Sequence, residues 1–199
     1  MQSVELCMGR SMTVALLVGV LFGAVGPLAQ DQPFPNTKQR GRATVEFKDD
    51  KLQVVANYEY SQRRHDSSWL LIDVAASSKR PAVIHRDDLT LVTPSGSRLM
   101  VAGQSRFLED SQGVTALVQN AKVWRRQLDS YFNQRGRNDR FQFLALPGQG
   151  LAIDSAVLND DRVTTGEVFF EMPRGWDAGM YSLVIELKDA RALLPITLE

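Results

Sequence analysis

The stretch GEVFFEMPRG, residues 166–175, alternates two sets of side chains and then stops at a proline. Val168, Phe170 and Met172 occupy one set of alternate positions, between glutamates and a further phenylalanine. A period of two is typical of a strand whose alternate side chains face a core. The stretch therefore predicts a core strand that ends at Pro173.

Similar short runs follow one another through most of the chain and are separated by turn signals. The runs are 43–48, 52–60, 69–76, 82–86, 88–93, 98–102, 140–146, 179–187 and 192–199. Short strands at this spacing are typical of a β-sandwich. We therefore predict a mainly β domain, 42–199, with about eight antiparallel strands. Pro195 marks the last strand as an edge strand or as the site of a bulge.

The period changes in the middle of the domain. Apolar residues between Val114 and Phe132 recur at helical spacing and would form one continuous stripe. We predict a single amphipathic α-helix over about 112–135, within a helical insertion that spans 105–140. This helix should lie across the outside of the sandwich.

A family resemblance rests on the same core strand. Gly166-x-Val168-x-Phe170-x-x-Pro173, followed by a Leu-x-Ile strand at 183–185, resembles the later strands of immunoglobulin-like domains in exported bacterial proteins of unknown function. The resemblance covers about residues 43–190 and implies an Ig-like sandwich, with the helix as an insertion. It implies no catalytic residue.

The N-terminal segment differs from the rest of the chain. Residues 12–29 carry no charge, Arg10 precedes them, and a polar stretch with two prolines follows. This pattern predicts a signal peptide over 1–30 and a linker over 31–41. The alternative is an uncleaved membrane anchor at 12–29. Both interpretations predict export to the periplasm or the medium, with membrane contact only if the segment is not cleaved.

The charge balance and the cysteine content of the chain exclude several classes of function. The chain has 23 basic and 23 acidic residues, so it has no overall field that would attract nucleic acid. Its single cysteine, Cys7, precedes the apolar run, so a cleaved chain would contain none. Disulfides, thiolate zinc sites and cysteine nucleophiles are then excluded.

No motif in the chain indicates catalysis. There is no Gly-x-Ser-x-Gly sequence, and His65 and His85 lie in charged turns that do not mark either one as a base or a ligand. The acidic turns do not follow the spacing of a calcium loop. We predict no metal, no cofactor and no catalytic residue from motifs. These observations leave one enzymatic alternative open, an active site formed by carboxylates from separate loops.

Basic residues are concentrated in and after the predicted helix. Positions 122–140 hold six basic and two acidic residues in an otherwise neutral chain. This excess predicts a docking surface for an envelope protein, an anionic glycan or a lipid headgroup. The predicted contact residues are Lys122, Trp124, Arg125, Arg126, Arg135, Arg137 and Arg140. The alternative is that these side chains are the solvated face of a packed helix.

Three function hypotheses follow from the sequence. The first is an exported, non-enzymatic binding or assembly module that presents the basic insertion to an envelope partner. The second is a carboxylate-based hydrolase with a site formed across loops. The third is a structural subunit that pairs with a neighbour through an edge strand such as 192–199.

Overall fold

The computed structural model describes residues 34–64, 67–133 and 138–199. The predicted signal peptide, the candidate anchor at 12–29 and His65 lie outside the described residues. Within them the chain is mainly β, as predicted, and forms twelve strands instead of about eight. Additional short strands, such as Thr37–Gln39 and Asn138–Arg140, account for part of the difference.

The strands are β1 (Thr37–Gln39), β2 (Thr44–Lys48), β3 (Leu52–Asn57), β4 (Trp69–Ser78), β5 (Ala82–His85), β6 (Leu89–Val92), β7 (Arg98–Met100), β8 (Asn138–Arg140), β9 (Ser155–Leu158), β10 (Val163–Glu171), β11 (Gly179–Glu186) and β12 (Arg191–Leu198). The α-helices are α1 (Glu59–Gln62), α2 (Gln104–Glu109) and α3 (Ser111–Ala121). Turns of 3-10 helix occupy Arg86–Asp88, Lys122–Trp124 and Leu128–Tyr131.

Ten of these strands form two larger sheets. The first has six strands in the order β1-β2-β3-β4-β10-β8, and the second has four in the order β12-β11-β6-β7. Strands β5 and β9 pair as a separate ribbon. Most neighbours are antiparallel, but β8 runs parallel to β10, so the predicted all-antiparallel arrangement is wrong at this edge. The chain reaches β8 from the helical insertion and not through a hairpin.

The two sheets share one apolar core. Val168 and Phe170 of β10 are fully buried in the same cluster as Leu183 and Ile185 of β11. The alternation in residues 166–175 therefore predicts the inward side chains correctly. Burial of this apolar surface is the main stabilising contribution that the sheets can make.

The outer face of the six-stranded sheet is covered as well. Phe169, which alternates with the core residues, is 2% exposed and packs against Phe107 of α2, with ring centroids 5.5 Å apart. Trp69 on β4 donates a hydrogen bond from Nε1 to Oδ2 of Asp110, over 2.7 Å. A helical layer, residues 104–131, thus lies on this face, as predicted for the insertion.

The predicted helix over 112–135 is wrong in its extent. α3 ends at Ala121, and Arg125 already has an extended backbone, with φ −63° and ψ 136°. Leu128 then packs in a second apolar cluster with Val55 and Ala75, apart from the cluster under α3. The chain leaves the helix because its apolar side chains are buried at two separate places on the sheet.

The structure also differs from the sequence-based predictions for the linker and for the strand over 140–146. The predicted linker over 31–41 contains β1, which pairs with β2 and extends the sheet. The predicted strand over 140–146 is regular only at Arg140, after which Phe141 and Phe143 stack in the core with ring centroids 5.4 Å apart. The edge position predicted for the last strand is confirmed, since β12 ends the four-stranded sheet.

The core strand provides the first test. Phe170→Ala should lower the free energy of unfolding by about 3–5 kcal/mol, because the phenyl ring is fully buried and its removal leaves a cavity. Urea unfolding followed by tryptophan fluorescence measures the change. Leu151→Ala is the control, since Leu151 is 82% exposed and should change the value by less than about 0.5 kcal/mol. Equal effects of the two substitutions would contradict the assigned core.

Candidate functional site

A cavity of about 320 Å³ lies between the outer face of the six-stranded sheet and the chain that follows α3. Asp73 of β4 and Glu167 of β10 form part of its floor, and residues 125–129 cross above them. Asn138 and Arg140 of β8 line it as well. We call this space the sheet–loop cavity. It separates the apolar cluster under α3 from the one around Leu128.

The floor holds two carboxyl groups on adjacent strands. Asp73 and Glu167 are register partners in the antiparallel β4–β10 pair. Directly opposed residues have Cβ atoms about 4.5–5.5 Å apart, so the two side chains are neighbours. Glu167 forms an ion pair with Arg125, whose side chain extends down from the crossing segment.

Asp73 has no such direct partner. Within the three described ranges its carboxyl group accepts no hydrogen bond and belongs to no ion pair. It is half-buried. Burial raises the pKa of Asp73 from its ordinary value of 3.8 to about 6, and the nearby charge of Arg125 opposes this only in part. The cavity therefore contains a carboxyl group whose hydrogen-bonding capacity the described residues do not use.

The predicted contact residues divide into three sets. Arg125, Arg126 and Arg140 line the sheet–loop cavity. Lys122 and Trp124 do not: Lys122 donates a hydrogen bond to Gln119, and Trp124 lies under the guanidinium of Arg63, 4.3 Å from its ring centroid. The remaining two, Arg135 and Arg137, lie outside the described residues.

The sequence placed Arg125 and Arg126 on the predicted helix, but both follow the end of α3, and both are exposed. Arg126 donates from Nε and Nη2 to one carboxylate oxygen of Glu59, over 3.0 and 2.8 Å. These bonds lower the pKa of Glu59, together with the weaker contribution of Arg63. Both arginines are therefore engaged by the chain's own acids, Arg125 by Glu167 and Arg126 by Glu59.

Arg140 differs from these two residues. It is exposed, and within the described ranges its guanidinium makes no hydrogen bond and no ion pair. Its position on β8 is set by register, because Arg140 pairs with Thr165 on β10, two residues before Glu167. Among the described arginines that line this cavity, Arg140 is thus the one that has no ion pair and remains able to bind an anion.

Gly166 explains how β8 reaches this position. A Cβ atom on Gly166 would lie 2.6 Å from Cβ and 2.7 Å from the carbonyl oxygen of Phe141. Real Cβ contacts are never this close, so the backbone after Arg140 can pass over β10 only where a glycine stands. A glycine inside a strand pattern is a known sign of such an approach.

Asp73 and Glu167 are not among the contact residues predicted from the sequence. Each is an acidic residue inside an otherwise apolar run, WLLIDVAA for Asp73 and EVFF for Glu167. That signal marks a polar position on a covered sheet face. It does not reveal that the two positions meet, because the β4–β10 register joins residues that are distant in sequence.

Other classes of site find no support in the described parts of the chain. No group of three or more His, Cys, Asp or Glu residues there could hold a metal ion. His85 is exposed, and its backbone N–H donates to Oδ2 of Asp88 over 2.7 Å. Among the helices of the same residues, none has the length and apolar character needed to cross a membrane.

Comparisons with known proteins give no match, whether to a protein-family model, to a curated protein or to a solved structure.

Asp73 should make stability depend on pH. The folded chain keeps the Asp73 proton up to about pH 6, and the unfolded chain loses it near 3.8, so stability falls as pH rises between these values. Asp73→Asn removes this penalty. We expect the variant to match the parent near pH 4 and to exceed it by up to about 3 kcal/mol near pH 8. Urea unfolding at several pH values measures the difference.

The control for this experiment is Asp50→Asn, which removes an exposed carboxylate. Its effect should vary little with pH, apart from the change in net charge that both variants share. A difference between Asp73→Asn and the parent that stays constant from pH 4 to pH 8 would contradict the burial of Asp73.

Gly166→Ala tests the placement of β8. The added methyl group collides with Phe141, so the strand must shift, and we expect a loss of about 1–3 kcal/mol in unfolding free energy. Amide hydrogen exchange should also become faster in β8, because its pairing to β10 is disturbed. Unchanged exchange in β8 together with unchanged stability would show that the close approach is absent.

Proposed function

We propose that this chain is an exported, non-enzymatic binding module that captures an anionic group of an envelope partner in the sheet–loop cavity. The observation that supports it most directly is the guanidinium of Arg140 at the wall of a cavity, which has no hydrogen bond or ion pair within residues 34–64, 67–133 and 138–199. Export rests on the signal-type pattern of the N-terminal residues. The scaffold is assigned as Ig-like on the motif from Gly166 to Pro173, and the shared core of two sheets is consistent with it.

The charge arrangement favours one anionic group over an extended polyanion. Arg125 and Arg126 are already neutralised by Glu167 and Glu59. These two ion pairs reduce the capacity of Arg125 and Arg126 to attract a partner, and they offset two of the four excess positive charges counted over 122–140. Arg140 remains, and a guanidinium binds a carboxylate or a phosphate well through its planar set of donors.

The size of the cavity points the same way. Small-molecule sites occupy about 300–1,000 Å³, and the sheet–loop cavity, at about 320 Å³, lies at the lower end of that range. It suits a single small unit, such as one sugar residue, one headgroup or one acidic side chain of a larger partner.

Arg140→Ala should weaken anion binding. We expect acetate, added to the ¹⁵N-labelled full-length chain, to shift amide signals around the cavity in a saturable way. The dissociation constant should rise about tenfold in the variant, because a hydrogen bond to a charged group contributes about 1.5–3 kcal/mol. NMR titration near pH 7 measures both constants.

Arg98→Ala is the matched control, since Arg98 is exposed, lies on β7 and does not line the cavity. It should leave acetate binding unchanged. Equal losses in both variants would indicate non-specific attraction to charge, and no loss in Arg140→Ala would remove the proposed site.

A carboxylate-based hydrolase is the second candidate, because the cavity holds Asp73 and Glu167 side by side. Two carboxyl groups in different environments are a common acid–base arrangement. Against it, Glu167 is tied to Arg125 and is not free to act as a base or nucleophile. Release of p-nitrophenol from p-nitrophenyl glycosides distinguishes the two, since a binding module leaves these compounds intact.

Pairing through an edge strand is the third candidate. β12 is an edge of the four-stranded sheet, as this hypothesis requires. However, Pro195 lies in the middle of the strand and has no N–H to donate to an added strand. The edge is therefore interrupted at its centre, which makes it a poor template for strand addition.

A further inference from the structure

Within the described residues, two groups of opposite character in the sheet–loop cavity have no hydrogen-bond partner: the half-buried carboxyl group of Asp73 and the exposed guanidinium of Arg140. The half-buried Asp73 loses hydrogen bonds that it would make to water. A ligand that donates hydrogen bonds to Asp73 would recover that loss, and its anionic group could bind Arg140.

We infer that the anionic group belongs to an acidic sugar of the hexuronate type, whose carboxylate pairs with Arg140 and whose hydroxyls donate to Asp73. This inference rests on the proposed binding function and names its ligand class. A hexuronate carries one carboxylate and several hydroxyls on a compact ring, so it presents both kinds of group within one unit.

The strand register sets the spacing between the two groups. Arg140 lies beside Thr165 on β10, and Asp73 lies beside Glu167, on the other side of the same strand. Two strand separations across the sheet and two residues along it place their Cα atoms about 12 Å apart. The two side chains can therefore reach a ligand between them from opposite ends.

The remaining lining residues are suited to hydroxyl groups. Gln127 lines the cavity, and its side-chain amide makes no hydrogen bond within the described residues. The Asn138 amide donates to Oδ2 of Asp129 over 2.9 Å. Side-chain amides offer both donors and acceptors, as hydroxyls do, and such matched polar groups are what fix the orientation of a ligand in a small cavity.

A free amino acid would also carry a carboxylate and a donor, but it fits less well. Its ammonium group requires an ionised partner, and Asp73 ceases to be one as the pH falls below about 6. Glu167 is already paired with Arg125. A hydroxyl can donate to the ionised form of Asp73 and accept from its protonated form, so a sugar is accommodated in both states.

The test compares four probes on the full-length chain near pH 7 by NMR titration. The probes are D-glucuronate, D-glucose, acetate and glycine. We expect glucuronate to bind about tenfold more tightly than acetate, since its hydroxyls add hydrogen bonds to the carboxylate contact. Glucose, which lacks the anion, should bind more weakly than glucuronate.

Asp73→Ala should reduce the affinity for glucuronate to about that for acetate, because the acceptor of the sugar hydroxyls is lost. The dispersion of the amide signals in the same NMR spectra shows that the variant is folded. Asp73→Asn keeps a hydrogen-bond acceptor and should restore part of the glucuronate affinity.

Each other outcome overturns the inference in a distinct way. Glucuronate binding no better than acetate, while Arg140→Ala still weakens acetate, would remove the sugar and leave the anion site. Tighter binding of glycine would identify an amino acid instead, and equal binding of glucose would exclude the acidic group. If none of the probes binds in the cavity, the inference and the proposed function fail together.

Discussion

The arrangement of the helical layer depends on two acidic residues in the middle of an apolar sheet face. On one side of Asp73 and Glu167 lie Phe169 and its neighbours under α3, and on the other lies the cluster around Leu128. Apolar side chains laid across both carboxyl groups would bury charge without compensation, at a cost of several kcal/mol. A continuous helix with an apolar underside does not fit there, and the chain becomes extended.

This break in the helix places the arginines. Because residues 125 and 126 are extended, Arg125 can pair with Glu167 and Arg126 with Glu59. The same break leaves space above Asp73 that the described residues do not fill. The cavity is thus a consequence of how the sheet face is covered: two apolar clusters are packed tightly, and the polar gap between them remains open.

The inward-facing side chains of the core strand could be predicted from the sequence, and the burial of its outward-facing side chains could not. Alternation places Val168 and Phe170 correctly because one buried face imposes a period of two on the strand. Phe169 occupies an outward-facing position on the same strand, and its burial depends on which segment of the chain covers that face. The helical spacing between Val114 and Phe132 predicted that α3 exists but not that it ends at Ala121. That end depends on the positions of Asp73 and Glu167, which lie on strands distant in sequence.

The candidate site was predicted in part for the same reason. A local excess of positive charge identified Arg125, Arg126 and Arg140, all three of which line the cavity. Their partners could not be predicted, because the contacts with Glu59 and Glu167 join separate parts of the chain. Counting charges along a sequence therefore overestimated the net charge that this surface offers to a partner.

An unpartnered carboxyl group in a covered position lowers the stability of the fold. An asparagine at position 73 would have nearly the same shape and would avoid the cost of ionisation. Stability alone therefore does not favour a carboxyl group at this position. Shifted carboxyl groups are found at structural ion pairs and at functional sites. Within the described residues Asp73 has no hydrogen bond or direct ion pair, so no structural ion pair among those residues compensates for the burial of its carboxyl group. The proposed ligand would offset this cost at the cavity wall that also holds Arg140.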